Sequence, residues 1–345
     1  MMVRKFESNP FAIRLKKPFK NSNVEITKRQ GFIIKITDEN GNTGLGEVAP
    51  FPGLSKETFE SVIPIVKELG RKLIGSELDS NVFQSLEEYP SVQFGITQAL
   101  HSIFILRDGF NPQWKINSSI SVNGIIGMIS KSEAVIMTKE LVAAGFKTIK
   151  IKVGRENIED DLDIVKSISK NLGDDIQFRL DANGKWNIEK TLYAVERLGG
   201  INIEYLEQPV KSSNELIELS KKSKMPIAAD ESIGNSDDVK KLLAESDIQY
   251  FVLKPSIMGD ITEVINLIKL IEAAERNVII SSAFESSIGR SALVFLSSLV
   301  ENNLAHGLAV ASYFTNDIAK DPYHLTNGKI IFDKEKYPPK FNLIK

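Results

Sequence analysis

Short apolar segments alternate with longer amphipathic stretches in the chain from about residue 114 onward. The apolar segments fall near residues 116–122, 147–152, 176–181, 203–206, 226–229, 249–253, 278–282 and 304–309. Each gap of roughly 20–30 residues has room for one helix and two loops, as βα units require. Eight such strands predict a parallel (β/α) barrel, although the spacing alone also fits a doubly wound sheet.

One of the intervening helices shows its start and its buried face in the sequence. Asp260 and Glu263 form a D-x-x-E start, which is closely related to the capping box. The apolar positions that follow recur at helical spacing and predict one buried face: Ile261, Val264, Ile265, Ile268 and Ile271.

The first part of the chain has a different pattern, typical of an α+β unit. FAIRL, EITKRQGFIIKITDENG and TGLGEV predict antiparallel strands, and the Asn-Gly step of DENGN predicts a hairpin turn. Helices are predicted from Lys56 to Leu73 and from about Phe94 to Leu106. The glycines and prolines of GLGEVAPFPG indicate an irregular loop, which either covers a site or is only a turn.

These patterns divide the chain into three predicted regions. We expect an α+β domain over residues 1–113, the barrel over 114–310, and a C-terminal segment, 311–345, that packs back on the first domain.

Composition narrows the class of protein. The 345 residues include 43 basic and 45 acidic ones without blocks of like charge, so neither nucleic acid nor a membrane surface is an expected partner. The N-terminus lacks the apolar core of a secretory signal, and the stretch near ALVFLSSLV is too short to span a bilayer. Cysteine is absent, which excludes disulfides and thiolate chemistry. We expect a soluble cytoplasmic protein.

Three carboxylates stand at the ends of consecutive predicted strands: Asp181 in FRLDAN, Glu207 in IEYLEQP and Asp230 in PIAADES. Each alone is better explained as a helix N-cap or a loop acid than as a metal ligand. Three together at one rim of a barrel would repel one another unless a divalent ion lies between them. All-oxygen ligands favour Mg²⁺ or Mn²⁺ over zinc.

Lysines lie on either side of these acids along the chain. Lys150 and Lys152 share one face of their strand, and Arg179 and Asn183 share a face with Asp181. We expect Arg179 and Asn183 either to bind substrate or to support the residues that bind the metal. An exposed edge strand explains the KIK segment alone equally well, but a second strand with charges on one face favours the barrel interior. There, charge must be paired or bind a metal.

Lys254 ends the strand FVLK before Pro255, where an ordinary exposed lysine is the alternative. Amines on both sides of a metal site can move a proton that the metal makes acidic. Glu231, next to Asp230, is predicted to partner a lysine or a ligand rather than to bind the metal.

The segment SSAFESS offers the hydroxyls of Ser281 and Ser282 and a helix start at about Ser286. These groups can hold a substrate carboxylate, and simple helix capping is an equally good interpretation. The histidines lie outside the cluster and are interpreted as structural: His101, His306 and His324.

The motifs KIKVG, LDANGKW, YLEQP, ADES, LKPSIMGD and SSAFESS, in this order, resemble the muconate-lactonizing branch of the enolase superfamily. The resemblance covers nearly the whole chain. It implies a (β/α)7β modified TIM barrel with an N-terminal α+β capping domain, and Mg²⁺ bound by the three acids. It also implies that Lys152 is the acid/base and that Lys254 lies on the opposite face of the substrate. The like charge of Lys150 would then favour the neutral amine of Lys152.

Within this branch, GEVAPFPGLSKET, SSAFESSIGRSAL and HGLAVASYF resemble the o-succinylbenzoate synthases of menaquinone biosynthesis. The implied reaction is the Mg²⁺-dependent, syn-type dehydration of 2-succinyl-6-hydroxy-2,4-cyclohexadiene-1-carboxylate to o-succinylbenzoate. Lys152 would abstract the proton α to the carboxylate to give an enediolate, so the expected partner is a small-molecule carboxylate.

Other activities remain alternatives. Related dipeptide epimerases carry Asp-x-Asp at the end of the last strand, where this chain has Ala-Val-Ala-Ser at 309–312. N-Acylamino acid racemases share much of the motif set. A Schiff-base lyase with Lys152 or Lys254 attacking a carbonyl, and a non-catalytic metal-dependent binding barrel, are more remote. The sequence leaves the oligomeric state open.

Overall fold

A computed structural model describes residues 1–20, 25–76, 85–172 and 175–343 of the protein. The N-terminal unit consists of an antiparallel sheet in the order β1 (Val3–Lys20), β2 (Glu25–Asp38) and β3 (Thr43–Val48), followed by helices α1 (Phe59–Leu73) and α2 (Pro90–Asp108). The predicted antiparallel strands are confirmed, and β1 begins eight residues before FAIRL.

Helix α2 lies directly against β3, and two glycines allow this close approach. A Cβ atom added at Gly44 would lie 1.8 Å from the Ala99 carbonyl oxygen, and one at Gly46 would lie 1.7 Å from the Gly95 oxygen. No side chain fits at these two positions, so the glycines of GLGEV belong to a strand. The chain becomes irregular only at residue 49, after β3.

Strands and helices alternate through the second part of the chain. In chain order the elements are β4 (Ser119–Ser121), β5 (Gly124–Ile126), α3 (Lys131–Ala143), β6 (Thr148–Lys152), α4 (Ile158–Lys170), β7 (Gln177–Asp181), α5 (Ile188–Arg197), β8 (Ile203–Glu207), α6 (Ser213–Lys222), β9 (Ile227–Ala229), α7 (Ser236–Glu245), β10 (Tyr250–Leu253), α8 (Pro255–Met258), α9 (Ile261–Ala273), β11 (Asn277–Ile280) and α10 (Ser287–Ser298). Strands β5 to β11 form one parallel sheet in sequence order.

Residues 306 and 307 join the two edges of this sheet and close it into a barrel. On one side, the His306 amide donates to the Ser121 carbonyl at 2.8 Å and the His306 carbonyl accepts from the Asn123 amide at 3.0 Å, directly before β5. On the other side, the Gly307 amide donates to the Ile280 carbonyl of β11 at 2.9 Å. The predicted eighth strand, 304–309, is therefore present as isolated bridges rather than as a regular strand.

The predicted first barrel strand, 116–122, is only partly confirmed, because just its end, Val122, forms a parallel bridge with His306 of the closing segment. Strand β4 pairs instead with β13 (Lys329–Ile331), which forms a hairpin with β12 (Leu325–Thr326). The barrel strand is β5, three residues further along the chain. Strand β4 thus pairs along its length with β13 of the tail, and the chain pairs with the barrel strand β6 only from Gly124 onward.

Helix α9 shows how the sequence pattern becomes buried surface. The Asp260 side chain accepts a hydrogen bond from the Thr262 amide, and the five predicted apolar positions are buried. Burying each such side chain contributes about 1.5–3 kcal/mol, so this face holds the helix on the barrel.

The C-terminal segment contacts both parts of the chain. The Thr315 amide donates to the Arg14 carbonyl of β1 at 2.9 Å, whereas β13 lies beside β4. The predicted boundaries at 113/114 and 310/311 stay predictions. None of the helices in the described ranges has both the length and the apolar character that crossing a bilayer requires.

Candidate active site

Three buried carboxylates meet at the carboxyl-terminal rim of the barrel. Asp181 is the last residue of β7, Glu207 is the last residue of β8, and Asp230 follows β9 directly. Each offers a carboxylate oxygen, and these three oxygens lie within 4.8 Å of one another. Parallel neighbouring strands end at the same edge, which is why three strand-end acids converge.

Three lysine side chains point into this group of acids. Lys150 Nζ lies 2.5 Å from Glu207 Oε1 and 2.7 Å from Asp181 Oδ2. Lys152 Nζ lies 2.6 Å from the same Asp181 oxygen, and Lys254 Nζ contacts both carboxylate oxygens of Asp230. The alternating charges of the sequence therefore face the barrel interior as ion pairs.

The sheet order separates the two outer lysines. Lys152 ends β6, beside β7, and Lys254 follows β10, beside β9. The strands that carry the acids thus lie between the strands that carry these amines. A substrate above the acids would have an amine on each side.

The group of acids has an oxygen that a bound cation could satisfy. Glu207 Oε2 is buried and has no hydrogen-bond partner among the described residues. Burial, and next the charge of Asp181, raise the pKa of Glu207 well above its usual value. Burial opposes ionisation of Asp181 too, but Lys150 and Lys152 outweigh it and lower the pKa of Asp181. An unpartnered buried oxygen within an all-carboxylate group fits a hard divalent ion such as Mg²⁺.

Asn183 links the amine of Lys152 to Glu231. Its Oδ1 accepts from Lys152 Nζ at 2.7 Å, and its Nδ2 donates to Glu231 Oε1 at 2.7 Å. Burial, followed by the charge of Asp230, raises the pKa of Glu231. Asn183 has a φ of 45°, a left-handed conformation that turns the chain sharply after the acid.

Arg179 lies one layer below the acids in the barrel interior. Its guanidinium is 2.5 Å from Glu204 Oε2 and 2.6 Å from the Ala305 carbonyl oxygen, and it lies over the Tyr205 ring. These contacts bind Arg179 to the barrel interior. Of the two roles expected for Arg179, support of the site fits these contacts better than contact with a substrate.

The helix start at Ser286 does hold a carboxylate, and the carboxylate belongs to the protein. Glu47 of β3 accepts from the Ser286 amide at 3.0 Å and from the Gly289 amide at 3.0 Å. The Ser282 hydroxyl donates to Glu285. Helix capping is thus the interpretation that fits this segment. Because Glu47 occupies the amides of the helix start and Glu285 occupies the Ser282 hydroxyl, these groups are not free to bind a substrate carboxylate. Ser281 is half-buried beside the closing bridge to residue 307.

The loop that follows β3 contacts the rim of the barrel. The ring centroid of Phe51 lies 6.2 Å from that of Phe284, which follows β11, and the ring centroid of Phe19 lies 4.5 Å from that of Phe284. Arg29 donates to the carbonyl oxygens of Pro50 at 2.7 Å and Phe284 at 3.2 Å. The loop therefore lies against the barrel rim, which fits a covering role better than a simple turn.

Sequence reasoning missed several buried polar residues around the rim. Gln208 Oε1 accepts from the Asp230 amide at 3.0 Å and from the Ser232 amide at 3.1 Å, so it fixes the backbone of one acid. Its position directly after Glu207 was the only signal in the sequence. Nothing local distinguishes the other missed residues: Arg29, Glu47 and Glu285.

Two histidines are buried away from the acids, as predicted. His306 Nδ1 accepts from the Ile280 amide, and burial lowers the pKa of His306 to about 3. His101 lies in an aromatic cluster with Trp114, and burial lowers the pKa of His101 to about 4. Both rings are therefore neutral near pH 7.

The structure combines an α+β unit with a barrel that has acids on three consecutive strands and lysines on both sides of them. Comparison with known families shows which class of enzyme has this architecture. The family model described as "Enolase C-terminal domain-like" matches residues 133–336, and a model described as "MenC, N-terminal domain" matches residues 4–103. The chain belongs to the enolase superfamily, as the motif resemblance indicated, and is a metal-dependent type of enzyme.

Curated relatives fall into more than one activity. The chain is 28% identical over 287 residues to the o-succinylbenzoate synthase of Thermosynechococcus vestitus, covering 82% of this chain and 85% of that protein. It is 27% identical over 326 residues to the L-Ala-D/L-Glu epimerase of Francisella tularensis subsp. novicida, covering 90% of each. It is also 24% identical over 341 residues to the chloroplastic protein PHYLLO of Arabidopsis thaliana, but spans only 20% of that protein's length.

Solved structures share the fold. The dipeptide epimerase of Methylococcus capsulatus, complexed with Mg and the dipeptide L-Arg-D-Lys, superposes with a TM-score of 0.87 at 21% identity. The match covers 96% of this chain and 98% of that one. At this identity the likeness establishes the fold alone.

Proposed function

We propose that the protein is an o-succinylbenzoate synthase that uses Mg²⁺ to dehydrate 2-succinyl-6-hydroxy-2,4-cyclohexadiene-1-carboxylate. The single observation that carries this proposal is the buried trio Asp181, Glu207 and Asp230 between Lys152 and Lys254. The match of the N-terminal unit to the MenC model and the synthase relatives at 25–29% identity support the choice within the superfamily.

The three acids are the proposed metal ligands. When bound, Mg²⁺ (or Mn²⁺) would supply stabilisation of the negative charge that develops on the substrate carboxylate. The Mg-complexed dipeptide epimerase supports this choice of ion. Lys150, which contacts Asp181 and Glu207, offsets the remaining negative charge of the trio.

Lys152 is the proposed base. Its Nζ sits at the acids, with Asn183 Oδ1 and Asp181 Oδ2 as its partners, so its position is fixed before substrate arrives. It would remove the proton α to the carboxylate, and the resulting ammonium would return a proton to the departing hydroxyl, which leaves as water. One residue can serve both steps when both groups lie on the same face of the ring.

Lys254 is proposed to act through its charge. Because β10 lies across the acid-bearing strands from β6, its ammonium would face the other side of the substrate. A cation there stabilises the developing negative charge. The aromatic side chains of Phe19, Phe51 and Phe284 would give the rim an apolar surface suited to a six-membered carbon ring.

The decisive experiment is an ultraviolet assay for loss of the cyclohexadiene in the presence of Mg²⁺. The native protein is expected to turn over, and EDTA or Lys152→Ala is expected to abolish turnover. Native-rate dehydration by Lys152→Ala would refute the assignment of the base. The absence of turnover by the native, Mg²⁺-loaded protein would refute the proposed function.

A second candidate function is epimerisation, because relatives at 26–27% identity are L-Ala-D/L-Glu epimerases. N-Acylamino acid racemisation belongs to the same class of reaction. Both reactions need protons delivered from both faces, so both Lys152 and Lys254 would have to exchange protons. Incubation of L-Ala-L-Glu and of N-succinyl amino acids in D₂O, with deuterium found in both stereoisomers, would favour this function. Dehydration without such exchange would favour the synthase.

A further inference from the structure

Glu285 is a buried carboxylate that the proposed mechanism does not use. It follows β11 and is only 1% exposed. Its Oε1 accepts from the Ser256 hydroxyl at 2.5 Å and from the Ala283 amide at 3.0 Å, and its Oε2 accepts from the Ser282 hydroxyl. Of these partners, Ser256 alone belongs to another loop, so this bond joins the loop after β11 to the loop after β10.

Ser256 stands two residues beyond Lys254, in the single turn of α8. The turn closes on Lys254 itself, because the Ile257 amide donates to the Lys254 carbonyl at 2.9 Å and the Met258 amide donates to it at 3.1 Å. The backbone from which the Lys254 side chain extends is therefore the backbone that Glu285 holds. A charge-assisted bond to a buried hydroxyl is one of the stronger bonds available for this purpose.

The N-terminal unit fixes the loop on both sides of Glu285. Arg29 donates through Nε to the Phe284 carbonyl, and Glu47 accepts from the Ser286 amide. Phe284 has a φ of 62°, which a non-glycine residue adopts only when its surroundings hold it there. The position of the Glu285 carboxylate is thus set by contacts that reach across the two parts of the chain.

Helix α2 holds the far end of the same segment. The Thr97 hydroxyl accepts from the Ile261 amide at 3.1 Å. At Gly259, a Cβ atom would lie 2.3 Å from Gln93 Oε1 of helix α2, and the φ of 103° is a conformation that favours glycine. Residues 255–261 are therefore held by hydrogen bonds at both ends, and the bond between Glu285 and Ser256 is the one that lies beside Lys254.

We propose that Glu285 is a positioning residue for Lys254, acting through Ser256. The proposal rests on the proposed function only in giving Lys254 a catalytic role. It predicts that loss of the Ser256 hydroxyl loosens the turn after Lys254 and misplaces its ammonium, while the acids and Lys152 on the other strands keep their positions.

The test compares Ser256→Ala with a matched control, Ser298→Ala, which removes another buried hydroxyl that bonds only within α10. Backbone hydrogen exchange followed by mass spectrometry reports the amides of residues 257–259. We expect these amides to exchange about tenfold faster in Ser256→Ala, because the variant loses one strong buried hydrogen bond. Peptides covering β6 to β8 and the control variant are expected to match the native protein.

A second variant, Glu285→Gln, retains an acceptor oxygen for Ser256 but loses the charge. Its expected exchange lies between the native and Ser256→Ala values, at about threefold. Native protection at 257–259 in both variants would overturn the proposal. Equal loss of protection throughout the barrel would also overturn it, because that result indicates a general packing role.

Kinetics supply the second readout. Under the proposed function, Ser256→Ala should lower kcat about tenfold with KM within twofold, because the misplaced charge matters mainly in the transition state. A rise in KM at native kcat would contradict the positioning role. If the native protein does not dehydrate the cyclohexadiene, the proposed function fails by itself, and the exchange experiment still decides whether Glu285 positions this turn.

Discussion

Replacing Glu47 by glutamine should change how the stability of the protein depends on pH. Glu47 is fully buried, and burial raises the pKa of Glu47 to about 7 from an ordinary value of 4.5. The hydrogen bonds from Ser286 and the charge of Arg29 oppose this shift, and the charge of Glu285 adds to it. The folded protein therefore holds the Glu47 proton more tightly than the unfolded chain does.

The direction of the effect follows from this difference in proton binding. The stabilising contribution of the Glu47 proton is fully present below pH 4.5 and is lost as the pH rises through about 7. Between pH 5 and pH 8 the shift corresponds to about 2.5 kcal/mol, a value that already includes the opposing hydrogen bonds from the helix start. The native protein should thus lose about 2.5 kcal/mol relative to Glu47→Gln.

The assay is thermal unfolding of both proteins at matched scan rates from pH 5 to pH 8. With an unfolding entropy of roughly 2.1 cal/mol/K per residue, 345 residues give about 0.7 kcal/mol/K, so the expected change in the Tm difference is about 3–4 °C. Glu140→Gln, on the exposed face of α3, is the matched control and should run parallel to the native protein. A Tm difference between the native protein and Glu47→Gln that stays constant from pH 5 to pH 8 would refute the reasoning.

Two further predictions concern the rim of the barrel. Mg²⁺ at about 100 times its Kd should stabilise the protein by about 2.7 kcal/mol and raise Tm by about 4 °C. Asp181→Asn should remove most of that rise in Tm, and an equal rise in the variant would contradict the proposed ligand set. Gln208→Leu leaves the buried amides of Asp230 and Ser232 without their acceptor. The resulting loss of about 2–4 kcal/mol in stability should lower Tm by about 3–6 °C. Titration calorimetry should also show weaker Mg²⁺ binding, and native affinity for Mg²⁺ would show that Gln208 does not position Asp230.

The candidate site was largely predictable because its signals are local. A strand points alternate residues to one side, so Lys150 and Lys152 identify their inward face from two positions. Parallel strands present their carboxyl ends at one rim, so Asp181, Glu207 and Asp230 could be grouped without knowing any contact between them. The structure places them as that rule requires, while their roles as ligands and bases stay proposals.

The pattern misled where pairing partners lie far apart in the chain. The apolar run at 116–122 has the composition of a barrel strand, but β4 pairs with β13, about 210 residues later. The closing segment at 306–307 forms only isolated bridges, to Val122 on one side and to Ser281 on the other. Apolar composition predicts a strand and carries no information about its neighbour.

By itself, then, the sequence determined the βα alternation, the inward lysines and the three acids at strand ends, since each follows from a period or from a strand terminus. Only the tertiary structure decided that Glu47 occupies a helix start 239 residues away, that Arg29 holds the carbonyl of Phe284, and that Glu285 reaches Ser256. These contacts join the N-terminal unit to the barrel and one loop to the next. A single buried polar side chain has no periodicity, so its partner is set by where the folded elements meet.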